Sequence, residues 1–257
     1  MDKITQNKED EKYMRMAIEL AKKGINGVNP NPMVGAVVVK NGKIIGRGYH
    51  KMFGKPHAEV YALEEAKENA KDATIYVTLE PCSHYGKTPP CAEKIIKMGI
   101  KRCVIGSSDP NPEVAGRGIK MLEIAGIKVT KDVLKDECDE LNQVFFKYIK
   151  TKIPYLFLKC GITMDGKIAL SNGASKWITN EKAREKVQYY RKKFMGIMVG
   201  INTILLDNPN LTIIEKNLKN PFRIVVDPNL KITEEYNIIK NNDDEKTIII
   251  TSEEKEN

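Results

Sequence analysis

The chain has 257 residues, of which 41% are hydrophobic and 30% are charged, and its formal net charge is +8 at pH 7. This composition excludes a disordered or fibrous chain and fits a folded protein with one large domain or two ordinary ones. No apolar run reaches the roughly 20 residues of a membrane-spanning helix, and the N-terminus lacks the apolar core of a signal peptide. We therefore expect a cytoplasmic protein without a membrane partner.

The distribution of positive charge and the number of cysteines indicate which partners and which cysteine chemistry to expect. The excess lysine and arginine residues are distributed along the chain and form no long basic run, which favours a solvated surface over a nucleic-acid interface. A phosphorylated small molecule would need only a few of these cations. The five cysteines are an odd number in a long chain, so they indicate metal binding or catalysis rather than a disulfide framework.

In chain order, the first part of the sequence predicts alternating helices and strands. Apolar residues at helical spacing predict a helix over 8–23, and two apolar runs around Asn41-Gly42 predict a β-hairpin. The elements predicted beyond the hairpin are a helix over 57–70, a strand over 73–79, a helix over 91–98, a strand over 102–107, a helix over 118–126 and a strand over 127–133. This alternation predicts an α/β domain with a mostly parallel sheet and helices on both faces.

A second unit is predicted to begin near Pro154. Its predicted elements are two strands within 154–171, a helix over 179–196 and short strands at 197–200, 222–227 and 247–251. Thr179 is the expected N-cap of the helix. We place the domain boundary between residues 150 and 151, so the predicted domains are 1–150 and 151–257.

A metal-binding pattern lies in the first domain. His-x-Glu, at His57 and Glu59, precedes Pro-Cys at Cys82 and a further cysteine at Cys91. In this pattern, typical of zinc deaminases, one imidazole and two thiolates hold the metal, and a glutamate that is not a ligand moves protons. Because residues two apart do not share a helix face, we expect His57 at a helix start and Glu59 over the metal. We assign zinc to the histidine and both cysteines, and catalysis to Glu59.

Each part of this pattern has a structural alternative. A single histidine is usually structural, and Cys82 and Cys91 could be two buried thiols. The combination, in this order around a strand and two helices, favours the metal site. The segment between the cysteines, "SHYGKTPP", carries His84 and Lys87, and the lysine is a natural partner for a phosphate.

The motifs together resemble a known family. The deaminase half of the bifunctional riboflavin-biosynthesis deaminase/reductase is similar to "NPNPMVGAVVVKNGKIIGRGYH", "HAEVYAL" and "TLEPCSHYGKTPPCAEKII". The start of its reductase half is similar to "LKCGITMDGKIAL", "GASKWITN" and "GINTILLDNPNLT". The resemblance implies a cytidine deaminase-like three-layer α/β/α domain, followed by an α/β domain similar to dihydrofolate reductase.

The resemblance also implies an activity, cofactors and contacts. The implied reaction is zinc-dependent deamination of 2,5-diamino-6-ribosylamino-4(3H)-pyrimidinone 5′-phosphate, followed by NADPH-dependent reduction of the ribosyl group. The implied substrate contacts in the first half are Asn31, His50, His84 and Lys87. Those in the second half are Ser175, Arg191 and Leu211. The implied NADPH contacts are Lys159, Gly161, Trp177, Thr203 and Asp207. The family tends to assemble through its reductase domains, which implies a possible homo-oligomer.

Several of these residues could have purely structural roles when they are judged without the family. Such roles are a turn or surface position for Asn31, His50 and His84, a core position for Trp177, a turn at Asp207 and a solvated side chain at Arg191. The family usually has an arginine where this chain has Ile214, and it continues past the end of this chain, so we expect an incomplete reductase domain. Deamination of another nucleobase or of RNA, and a non-catalytic zinc-stabilised scaffold, remain alternative functions.

Overall fold

The computed structural model describes residues 3–85, 89–111, 115–175 and 177–252. The chain divides into two compact units, Met1–Leu156 and Phe157–Asn257, so the division falls a few residues after the boundary that the sequence suggested. In the described ranges, no helix is both long and apolar enough to cross a membrane.

The first unit is built from helices and strands that alternate along the chain. The helices are α1 (Lys3–Lys22), α2 (Ala58–Ala66), α3 (Cys91–Lys97), α4 (Arg117–Ile124), α5 (Lys135–Leu141) and α6 (Gln143–Thr151). The strands are β1 (Gly35–Lys40), β2 (Lys43–Tyr49), β3 (Thr74–Leu79), β4 (Arg102–Ser107) and β5 (Lys128–Thr130). A 3-10 turn, Lys67–Ala70, follows α2.

These strands form one sheet in the order β2-β1-β3-β4-β5. β1 is antiparallel to both of its neighbours, whereas β3, β4 and β5 run parallel. The predicted hairpin is present, and Asn41 and Gly42 have φ angles of 51° and 72°. Two consecutive positive φ angles match the right-handed twist of paired strands, which is why Asn-Gly suits this turn.

The core lies on both faces of this sheet because alternate strand residues point to opposite sides. Ile75 and Val77 of β3 face a layer that contains α2, α3 and α4. Tyr76 between them faces α1 and α5 on the other side. This arrangement is the predicted three-layer α/β/α domain.

Some helix boundaries in the first unit differ from the prediction. α1 begins at Lys3, five residues before the predicted start, and α5 and α6 were not predicted. α5 has seven residues and buries only Cys138 and Leu141. A helix this short carries too few apolar positions to produce a recognisable period.

The second unit contains a smaller sheet. Its helices are α7 (Glu181–Lys193), α8 (Ile201–Asp207) and α9 (Asn237–Lys240), and its strands are β6 (Gly196–Gly200), β7 (Phe222–Val226) and β8 (Thr247–Ile250). The strands are all parallel, in the order β6-β7-β8. One face is covered by a buried cluster that contains Ile204, Leu211, Val225 and Ile238.

Two predictions for the second unit are wrong. Residues 154–171 form turns, bends and irregular segments instead of two strands, and Leu156 and Leu158 are 87% and 88% exposed. Apolar residues alone do not make a strand, because a strand needs a hydrogen-bonded neighbour. The N-cap of α7 is Asn180 instead of Thr179, and its side-chain oxygen accepts a hydrogen bond of 3.0 Å from the Ala183 N–H.

Candidate active site

Three potential metal ligands meet where two helices begin near the end of β3. His57 is the N-cap residue of α2, Cys82 follows the end of β3, and Cys91 is the first residue of α3. The Nδ1 atom of His57 lies 3.6 Å from the Cys82 sulfur and 3.4 Å from the Cys91 sulfur. The ligand atoms of all three residues lie within 4.8 Å of one another. One imidazole nitrogen and two sulfurs therefore converge on one point.

Hydrogen bonds within this cluster favour a thiolate at Cys82. The Cys91 thiol, through its hydrogen bond, lowers the pKa of Cys82 to about 4. The hydrogen bond with Cys82 raises the pKa of His57 to about 9. The backbone N–H of Cys91 also donates to the Cys82 sulfur over 3.3 Å, which adds a partial positive charge from the start of α3.

Glu59 lies in the first turn of α2 and is only 3% exposed. Burial raises the pKa of Glu59 to about 7. Its Oε2 atom is buried and has no hydrogen-bond partner among the described residues. A carboxyl group with a pKa near neutrality can both accept and donate a proton, as a general acid–base catalyst must.

The residues present fit a catalytic zinc ion. Zinc in such sites takes three protein ligands of the nitrogen and sulfur type and keeps one position for water or substrate. The cluster offers these ligands, and the unpaired Oε2 of Glu59 is a buried acceptor available beside them. Unpaired buried acceptors are uncommon in folded proteins and indicate a missing partner.

Asn31 and His50 form a hydrogen-bonded chain beside the cluster. The Nδ1 atom of His50 lies 3.1 Å from the Pro56 carbonyl oxygen, and its Nε2 atom lies 3.3 Å from the amide nitrogen of Asn31. A carbonyl can only accept, so Nδ1 donates and Nε2 accepts. Burial lowers the pKa of His50, which favours this neutral ring. The rings of His50 and His57 meet edge to face with centroids 5.3 Å apart, so Asn31 is held close to the ligands.

The loop between the two cysteines is described only in part. His84 is exposed and interacts electrostatically with Asp109, which follows β4. The Tyr85 hydroxyl lies 2.7 Å from both carboxylate oxygens of Glu93, so the loop is tied to α3. Lys87, the expected phosphate partner, lies outside the described residues.

In the second unit, some of the expected contacts are brought together. The Ser175 hydroxyl donates to Asp207 at the end of α8 over 3.2 Å. The Arg191 guanidinium donates to the Thr212 carbonyl over 2.5 Å, next to the buried Leu211. Arg191 is half-buried instead of fully solvated, and this burial lowers the pKa of its guanidinium.

The other expected cofactor contacts lie on exposed or half-buried surface. The Lys159 amine lies close to Gly161, because a Cβ atom added to the glycine would be 3.8 Å from Nζ. Trp177 is 75% exposed, with the Arg184 guanidinium 4.5 Å from its ring centroid. The core position considered for this tryptophan is therefore wrong. Thr203 is half-buried on α8.

Sequence reasoning missed Glu80, which precedes the Pro-Cys pair. This carboxylate is 4% exposed and accepts hydrogen bonds from several backbone N–H groups. The signal was present, because an acidic residue directly after a buried strand is unusual unless it is paired.

The two halves of the chain match two known families. Residues 7–107 match the zinc-binding region of cytidine and deoxycytidylate deaminases, and residues 154–257 match the RibD C-terminal domain. The riboflavin biosynthesis protein RibD of Actinobacillus pleuropneumoniae is 51% identical over 93% of this chain and 64% of its own length. The RibD protein of Aquifex aeolicus is 48% identical over 96% of this chain and 69% of its own length. The chain thus spans about two thirds of the length of these relatives.

Solved structures give the same result. A deaminase/reductase from Thermotoga maritima, described as a diaminohydroxyphosphoribosylaminopyrimidine deaminase and 5-amino-6-(5-phosphoribosylamino)uracil reductase, has a TM-score of 0.91 with 46% identity. The match covers 98% of this chain and 72% of the Thermotoga maritima chain. RibD from Acinetobacter baumannii has a TM-score of 0.88 with 41% identity, covering 95% of this chain and 70% of its own. The resemblance drawn from the motifs, and the fold it implied, are confirmed.

Proposed function

Because this chain belongs to the RibD family of riboflavin biosynthesis proteins, we propose that its first unit is a zinc-dependent deaminase of 2,5-diamino-6-ribosylamino-4(3H)-pyrimidinone 5′-phosphate. The observation that carries the proposal is the convergence of His57, Cys82 and Cys91 within 4.8 Å. The buried carboxyl of Glu59 lies beside this cluster and has one unpaired oxygen.

The residues of this site have distinct roles in the proposed reaction. His57, Cys82 and Cys91 hold the metal. When bound, zinc supplies a Lewis acid that lowers the pKa of a water molecule, so that a nucleophile is available near neutral pH. Glu59 accepts one proton from the attacking water and passes it to a ring nitrogen, and it then carries the second proton from the new hydroxyl to the amino group, which leaves as ammonia. The ring carbon exchanges its amino group for an oxygen, and no redox partner is needed.

Asn31 and His50 are proposed to contact the pyrimidine. The hydrogen bonds from Asn31 through His50 to Pro56 hold the amide in a fixed orientation beside His57. A fixed amide discriminates between donors and acceptors on a substrate ring. His84 and Lys87 are proposed to bind the phosphate end.

For the second unit we propose NADPH-dependent reduction of the ribosyl group. NADPH would supply the hydride, while the protein supplies binding and orientation. The exposed Lys159 amine and Trp177 indole suit an anionic cofactor with aromatic rings. Gly161, Thr203 and Asp207 are proposed as further cofactor contacts. Ser175, Arg191 and Leu211 are proposed as substrate contacts.

Three wider expectations belong to the same proposal. The substrate is a free small molecule and not a nucleic acid, the protein works in the cytoplasm, and copies associate through the second unit. Light scattering on the purified chain measures the association directly. A monomer at micromolar concentration would contradict it.

Ammonia release from the diamino pyrimidinone phosphate by the zinc-loaded chain tests the deaminase. Wild-type protein should release one ammonia per substrate. Glu59→Gln should keep one zinc per chain and lower the rate by about 10² to 10⁴-fold, because the amide cannot shuttle protons. Loss of zinc in that variant would instead make Glu59 a structural residue.

The alternative functions predict different results in the same assay. A deaminase of another nucleobase or of RNA would release no ammonia from this substrate, but would do so from nucleotides or tRNA. A zinc-stabilised scaffold would bind zinc and release no ammonia from any of them.

For the second unit, saturable quenching of Trp177 fluorescence by NADPH is expected, and no quenching would contradict cofactor binding there.

A further inference from the structure

Glu80 is a buried carboxylate that joins the end of β3 to two neighbouring segments. Its backbone N–H donates to the Ser107 carbonyl over 2.9 Å, so the pairing of β3 with β4 extends to this residue. Its side chain accepts from four backbone N–H groups. The donors are Gly118 at 3.1 Å and Ile119 at 3.4 Å for Oε1, and Gly116 at 3.1 Å and Asp109 at 3.4 Å for Oε2. One carboxylate therefore holds the start of α4 and the loop after β4.

The next residue, Pro81, lies against the same helix. A Cβ atom added to Gly118 would stand 2.0 Å from the Pro81 carbonyl oxygen. Real Cβ atoms do not lie this close to another atom, so only glycine can occupy position 118 without displacing this oxygen. The backbone of α4 therefore packs directly against the Glu80–Pro81 segment. The segment has no room to shift towards α4.

Cys82 is held from the other side by α3. Its carbonyl accepts from the Ala92 N–H over 3.2 Å, and its sulfur accepts from the Cys91 N–H over 3.3 Å. Only Pro81 separates this cysteine from Glu80. The position of the sulfur thus depends on two anchors, one on each neighbouring helix.

We propose that Glu80 is a positioning residue that fixes the place of the zinc ligand Cys82. The inference rests on the proposed zinc site. Each oxygen of the Glu80 side chain accepts from two backbone N–H groups, so both oxygens are needed to hold the segment. A glutamine would turn its own NH₂ group towards two donors, which repel it.

The test is the zinc affinity of the full chain carrying Glu80→Gln, measured by competition with a chelator. Partners that orient metal ligands contribute about 10- to 100-fold to metal affinity, so a loss of that size is expected. The absorption of the cobalt-substituted protein provides a second measurement, because its sulfur-to-metal band reports the geometry at the thiolates. A change in that band is expected.

Asp10→Asn is the matched control. Asp10 is another buried carboxylate of the first unit, but it lies on α1, on the opposite face of the sheet, where it pairs with Arg102. Its substitution should lower the unfolding midpoint and leave the zinc affinity and the cobalt band as in the wild type. This control separates general destabilisation from a specific effect on the ligand.

Gly118→Ala is a second variant that acts on the same segment without altering Glu80. Its methyl group must displace the Pro81 carbonyl, so zinc affinity should again fall. The inference is overturned if both variants bind zinc within about twofold of wild type with an unchanged cobalt band. If the wild-type chain itself binds no zinc, the proposed zinc site fails and the inference fails with it.

Discussion

Two further cysteines of the first unit have the wrong surroundings for metal binding. Cys103 and Cys138 are fully buried, on opposite faces of the sheet. Burial raises the pKa of both thiols, that of Cys138 to about 12. A thiol in an apolar core has no converging ligands and stays protonated, which makes it a hydrophobic side chain.

We therefore predict that Cys103→Ala and Cys138→Ala each retain one zinc per chain. Cys82→Ala and Cys91→Ala should lose it, because each removes one of three ligands. Zinc content after gel filtration, measured by atomic absorption, distinguishes the two pairs. Loss of zinc from either core variant, with the fold intact, would contradict the ligand assignment.

At the residue scale, the candidate metal ligands could be predicted because residue types and their spacing along the sequence define the motif that contains them. A histidine two residues before a glutamate, and a cysteine after Pro-Cys, form a pattern visible in the sequence. The partners of His50 could not be predicted, since Asn31 and Pro56 reach it through a fold that brings separate loops together. The metal and substrate roles remain predictions.

At the element scale, an ion pair fastens α1 to the sheet. Both terminal nitrogens of Arg102, on β4, donate to the Asp10 carboxylate over 2.7 and 2.6 Å. Asp10 also accepts from the Tyr76 hydroxyl of β3 over 3.1 Å, and Arg102 donates to Thr130 of β5 over 2.9 Å. The pair thus connects one helix with three strands.

Arg102→Ala should lower the unfolding free energy by about 3–5 kcal/mol, because Asp10 would keep a buried charge without its cation. Arg47→Ala is the control. The guanidinium of Arg47 is exposed and lies 4.0 Å from Glu65, so its loss should change stability by less than about 1 kcal/mol. Urea unfolding followed by far-UV circular dichroism measures both. Equal effects of the two substitutions would contradict the role of the buried pair.

Elements marked by apolar runs or clear turn residues were predicted, including strands as short as β8, whereas the helices α5, α6, α8 and α9 were not. The β1–β2 hairpin, β3 and β4 follow from apolar runs with clear turn signals. α8 has seven residues and buries one of them, Ile204, so its sequence has no helical period to detect. The two strands predicted at 154–171 failed for the opposite reason, since their apolar residues find no strand to pair with in the described chain.

At the scale of the whole molecule, one ion pair makes the second unit sensitive to acid. In the second unit, Arg223 is 1% exposed and pairs with Asp244 just before β8. The Arg223 guanidinium lowers the pKa of Asp244 to about 2. Because the folded-state pKa lies below the unfolded value of about 4, this pair stabilises the unit above pH 4, and the stabilisation is lost as the pH falls towards 2.

We predict that Asp244→Asn removes this part of the acid sensitivity, which amounts to about 1–2 kcal/mol once screening by solvent is included. Hydrogen exchange of peptides from β7 and β8, followed from pH 5 to pH 2, should show a weaker pH dependence in the variant. Peptides from β3 and β4 serve as the internal control, and their exchange should be unaffected. An identical pH profile for wild type and variant would exclude the ion pair as the cause.

The sequence by itself determined the α/β class, the hairpin, the candidate ligands and the family. Each of these depends on residue spacing or on short motifs that can be recognised without knowing the tertiary structure. The tertiary structure decided what surrounds those residues. It brought the Glu80 carboxylate into hydrogen-bond contact with the first turn of α4. It also placed His50 between Asn31 and Pro56 and paired Arg102 with Asp10. These partners come from segments far apart in the chain. Most buried polar groups are paired, but only the packing of the sheet and its helices determines which groups are close enough to pair.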